Sequence, residues 1–76
     1  MSKSRRREKV FLQTVGEIDF YYTKYNNRSF QVTATNKLSG KETTISFEES
    51  IEEVTKVVHN FSTKGFSLGG ITLKVK

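Results

Sequence analysis

The sequence predicts an α+β fold: a four-stranded antiparallel meander, one helix on one of its faces, and a C-terminal fifth strand, in the order β-β-β-β-α-β. Three observations carry this. Residues 10–15 and 18–23 are β-prone, and apolar and polar residues alternate through residues 29–35 and 43–47. Short links with turn chemistry separate these segments. Ile51, Val54, Val58 and Phe61, with Val57, then recur at helical spacing.

The first two segments are Val-Phe-Leu-Gln-Thr-Val and Ile-Asp-Phe-Tyr-Tyr-Thr, joined by Gly16-Glu17. Gly at the first central position is the mark of a two-residue type II′ turn. That turn pairs Val15 with Ile18, Gln13 with Phe20 and Phe11 with Tyr22. Phe11, Val15, Ile18, Phe20 and Tyr22 then share one face.

In the third segment Phe30, Val32 and Ala34 alternate with Gln31, Thr33 and Thr35. A two-residue Asn26-Asn27 turn would put Phe30 on the wrong face, because a one-residue slip reverses every side chain. A three-residue loop, Tyr25-Asn26-Asn27 with Asn27 left-handed, pairs Tyr22 with Phe30 and Phe20 with Val32 and keeps the apolar face continuous. Lys37-Leu38-Ser39-Gly40 reads as a four-residue loop. It pairs Asn36 with Lys41, Ala34 with Thr43 and Val32 with Ile45, and Phe47 continues that alternation.

Ser46-Phe47-Glu48-Glu49 matches the Ser-x-x-Glu capping box. Glu48, Glu49, Glu52 and Glu53 suit the positive end of the helix dipole, and Lys56 is spaced to pair with Glu52. Lys64 and Gly65 mark the helix end. Phe66, Leu68 and Gly69-Gly70 follow, the glycines forming a turn or a bulge. Ile71, Leu73 and Val75 alternate as the fifth strand, whose partner the pattern does not specify.

Seventy-six residues make one domain, and 34% apolar content is just enough for a core. The chain has no Cys and one His, which excludes disulfides, thiolate metal sites and two-histidine metal sites. No apolar run reaches the roughly 18 residues of a membrane span, and none of signal-peptide length follows the basic start. A cytoplasmic location is therefore expected, or a nuclear one in a eukaryote.

The net charge of +5 is concentrated. Lys3, Arg5, Arg6, Arg7 and Lys9 against Glu8 leave +4 in residues 1–9, while eight Lys/Arg against seven Asp/Glu leave +1 in residues 10–76. Residues 1–9 thus read as a disordered basic arm on a near-neutral domain of residues 10–76. Such an arm suits phosphate contact, nuclear import or an acidic protein.

One helix cannot cover both faces of a sheet. The expected register puts Val10, Leu12 and Tyr21 in the middle of the uncovered face, rimmed by Thr, Gln and charge, with Tyr25 and Arg28 at one end. Two uses fit. Tyr21 and Tyr25 could stack unpaired bases, with Lys24 and Arg28 extending the arm's track. Alternatively, Val10, Leu12 and Tyr21 could centre a homodimer or other protein interface, or a sheet edge could add a strand to a partner. The plain alternative is that Tyr and Thr are good strand formers.

No catalytic constellation is visible. His59 lies late on the helix without a nucleophile beside it. The helix glutamates are explained by the dipole rather than a divalent ion. Ser67-Leu68-Gly69-Gly70 lacks the spacing of a phosphate loop. By architecture alone, a basic arm with a meander backed by one helix is similar to small single-strand-binding coactivator domains that dimerise; the fifth strand departs from that pattern. The expectation is a non-enzymatic binding module without cofactor or metal. Its expected partner is nucleic acid, single-stranded or bound non-specifically. The alternative is a protein-interaction or inhibitor protein of the kind viruses and mobile elements encode, and the weakest reading is a structural subunit whose arm threads RNA.

Overall fold

The computed structural model describes residues 8–74. The elements are β1 (Lys9–Val15), β2 (Ile18–Lys24), β3 (Phe30–Asn36), β4 (Glu42–Glu48), α1 (Ile51–Lys64), β5 (Phe66–Leu68) and β6 (Ile71–Leu73). Strands β1 to β4 form one antiparallel sheet in chain order, and β5 with β6 forms a separate two-stranded sheet. The fold is α+β, with its C-terminal strand paired in a hairpin of its own. Gly69-Gly70 is the hairpin turn, both residues at positive φ (56° and 81°), as a type I′ turn requires. Val75 lies outside the described residues.

Two of the meander links are as the sequence predicts. Val15 faces Ile18 across the Gly16-Glu17 turn, and Gly16 alone of that pair has positive φ (63°). Across Lys37–Gly40, Thr35 faces Glu42 and Ala34 faces Thr43. Asn36 shapes this loop: its side-chain oxygen accepts from the amides of Leu38 and Ser39 at 2.8 and 2.9 Å.

The middle link differs. Tyr22 faces Val32 and Phe20 faces Ala34, two residues from the expected register but on the same face. Asn27 is not left-handed; no described residue other than glycine has positive φ. Asn26 does the work instead. Its side-chain oxygen accepts from the Arg28 and Ser29 amides at 2.8 and 2.9 Å, so a longer loop closes without a strained residue.

Both outer strands carry a bulge. In β1 the register shifts between Phe11 and Gln13, leaving Leu12 extra; Phe11 now faces Tyr21, and Val10 faces Tyr22. In β4 the extra residue is Ile45, and Phe47 faces Gln31. One extra residue exchanges the faces beyond it. Phe11 and Phe47 therefore leave the helix-bearing face, and Val10 joins it. Leu12 and Ile45 pack against the core.

The helix starts later than expected. Pairing with β3 holds β4 in strand through Glu48, so Ser46 stays extended and its hydroxyl bonds the Glu48 carboxylate. Ser50 is the cap: it accepts from the Glu53 amide at 3.2 Å, using a second Ser-x-x-Glu spacing four residues on. Only Glu52 and Glu53 lie in the first turn. Lys56 approaches Glu53 at 4.0 Å rather than Glu52.

Ile18, Phe20, Val32 and Ala34 of the sheet meet Val54 and Val58 of α1 and Ile71 and Leu73 of β6 in one core. Phe66 joins helix to sheet, its ring 5.2 Å from Phe61 and 6.1 Å from Phe20. Helix and hairpin thus close the same face. Full burial of a side chain such as Phe20 contributes about 1.5–3 kcal/mol, so this layer holds the opposite face in place.

Candidate functional site

The face away from the helix is polar in its centre and divided along its length. The expected centre, Val10/Leu12/Tyr21, is broken up by the β1 bulge: only Tyr21 stays on this face. Phe11 takes the vacated place. Its ring meets Tyr21 edge-to-face with centroids 5.6 Å apart. On the far side of the sheet, Phe47 meets Tyr25 in the same manner at 4.9 Å. Phe11 is 53% exposed and Phe47 50%. The sheet therefore offers two aromatic pairs, Phe11–Tyr21 at mid-strand on the β1 side and Tyr25–Phe47 beside the β2–β3 loop on the β4 side.

Antiparallel pairing puts the start of β1 at this same end. Lys9, counted with the arm in the sequence, is the first residue of β1. Arg28 is exposed in the adjoining loop. Lys24 is exposed at this end too, but it faces Phe30 and so projects on the helix-bearing side. There it borders a hollow with Val10, Tyr22 and Phe30. Lys3, Arg5, Arg6 and Arg7 lie outside the described residues.

The other end of the face is acidic. Asp19 accepts from the Thr14 hydroxyl, and Glu42 pairs with Lys9 at 2.5 Å. That ion pair joins the two outer strands. In a flat sheet three strand spacings, about 14 Å, would lie between them, with a further offset along the strands. The sheet must coil so that these corners approach, which makes the face concave. Concavity explains why Thr23 and Thr33 are only 6% and 5% exposed with no helix above them.

Phe11 and Phe47 were not read as site residues from the sequence. A hint was present in β1, where Val10, Phe11 and Leu12 are three apolar residues in succession, which strict alternation cannot place. In β4 the alternation of Thr43, Ile45 and Phe47 conceals the bulge completely.

His59 is exposed and borders a shallow hollow with Leu12, Gln13 and Thr55. No group of His, Cys, Asp and Glu among the described residues could hold a metal ion. No helix among them is long and apolar enough to cross a membrane. The chain matches no protein-family model, and neither curated proteins nor solved structures gave a match.

Proposed function

We propose that this protein binds single-stranded nucleic acid across the aromatic residues of its concave sheet face, with the Arg-rich arm contacting phosphates. One observation carries the reading. Phe11, Tyr21, Tyr25 and Phe47 lie on the open face between its middle and the end where β1 begins. Every base has a π-face, and a stacked base is worth about 1–3 kcal/mol. Arg5, Arg6 and Arg7, which shortly precede β1 in the chain, supply affinity by releasing counterions. Asp19 and Glu42 disfavour backbone phosphates at the far end, so the phosphates of a bound strand keep to the half of the face where β1 begins. The helix, whose first turn is acidic, sits on the other face and takes no part. Duplex DNA fits poorly, because its bases present no free π-face to a sheet.

Fluorescence anisotropy with single- and double-stranded oligonucleotides at two salt concentrations tests the proposal. Single strands should bind more tightly. Removing residues 1–8 should flatten the salt dependence, and Tyr21→Ala or Tyr25→Ala should weaken single strands more than duplex. Equal losses on both would remove the stacking platform. No binding at low salt would leave the exposed Phe11 and Phe47 as contacts for a protein partner, the alternative reading of this face.

A further inference from the structure

The open face contains two threonine hydroxyls that nothing satisfies. Oγ1 of Thr33 and Oγ1 of Thr35 are buried without a hydrogen-bond partner. An unpaired buried hydroxyl is costly, and valine would serve a strand equally well at both places. No helix lies above them. The Lys9–Glu42 ion pair does. Lys9 faces Thr23 and Glu42 faces Thr35, so a line between the two crosses β2 at Tyr21 and β3 between Thr33 and Thr35. Lys9 Nζ stands 5.8 Å from the Tyr21 ring centroid on that line. The two charged side chains are 50% and 38% exposed. An ion pair this accessible is weakly held, and a phosphate offers Lys9 an equally good charge-assisted partner.

We propose that Lys9–Glu42 is a displaceable cover over a hydrogen-bonding subsite, formed by Thr33 and Thr35, for the polar edges of bases or sugars in a bound single strand. The inference rests on the nucleic-acid reading above. A phosphate draws Lys9 off Glu42, the cover opens, and the two hydroxyls reach the strand. Each both donates and accepts, so the subsite adds contacts that the rings alone do not provide. Glu42 restrains binding, since it holds Lys9 in the free protein and adds a negative charge beside the path.

Three single variants of the full chain test this with a short fluorescein-labelled oligothymidylate. Glu42→Gln should bind up to about fivefold more tightly, the most an exposed ion pair ordinarily contributes. Glu49→Gln, an equal change of charge on the bend before α1, should shift affinity far less. Thr33→Val should bind about fivefold more weakly while melting at or above the wild-type temperature, because it removes an unsatisfied buried group. A Thr33→Val protein that binds like wild type overturns the subsite, and one that binds weakly but also melts lower shows a structural threonine and overturns it too. A Glu42→Gln protein no tighter than Glu49→Gln overturns the cover. If the wild-type protein itself fails to bind the oligonucleotide, the parent reading falls and takes this one with it.

Discussion

The inner and outer strands of the meander obey different rules. β2 and β3 pair without a break from Ile18–Asn36 to Lys24–Phe30, and their core-facing Phe20, Val32 and Ala34 are completely buried. β1 and β4 each carry an extra residue, and each turns one phenylalanine away from the core. The inner strands are constrained on both edges, so a slip there would break two ladders and expose the core. An outer strand is held on one edge only, and an extra residue in it disturbs one ladder. Structural demand therefore concentrates in the middle of the sheet, and the outer strands are free to shape the open face.

Substitutions separate the two regimes. The largest effect belongs to an inner strand: Phe20→Ala should lower stability by about 3–5 kcal/mol, read from urea unfolding, and a loss below about 1 kcal/mol would deny the inner strands their anchoring role. Deleting Leu12 comes next. It leaves Phe11 opposite Tyr21 and Gln13 opposite Phe20 in an uninterrupted ladder, so oligonucleotide affinity should hold while stability falls by about 1–2 kcal/mol through lost packing. A collapse of affinity would mean that the bulge aims Phe11 by more than register. The smallest stability effect should come from Phe11→Ala and Phe47→Ala. Each loses one edge-to-face ring contact, about 0.5–1.5 kcal/mol, yet each should weaken single-strand binding about tenfold. Stability losses approaching that of Phe20→Ala would return both rings to the core.

The same division governs how much was legible in the sequence. β-propensity and alternation mark all four meander strands, and turn chemistry at Gly16-Glu17 and Lys37–Gly40 sets the adjoining registers correctly as far as the bulges, beyond which Phe11 faces Tyr21 rather than Tyr22 and Val32 faces Ser46 rather than Ile45. The face of β3 was also correct, although its register was two residues off, because hydrophobic patterning specifies parity and not offset. Alternation carried no information about an unpatterned extra residue, so Phe11 and Phe47 were assigned to the core and Val10 and Leu12 to the open face. Two Ser-x-x-Glu spacings four residues apart were equivalent locally. The pairing of β4 with β3, a long-range contact, chose Ser50 over Ser46. Tyr21, Tyr25 and Lys9 are candidates by residue type, but the meeting of Tyr21 with Phe11 depends on the β1 bulge and that of Lys9 with Glu42 on sheet coiling, which no local pattern records.

The bulges at Leu12 and Ile45 have a consequence for how these molecules tolerate crowding. An open meander ends in two rows of unpaired amides and carbonyls, ready templates for a neighbouring chain to extend the sheet into an aggregate. Here both rows are interrupted near mid-strand. An incoming strand could follow either edge only for a short stretch before its spacing failed. The irregularity that turns an aromatic ring outward thus also guards the protein against fibre-like self-association.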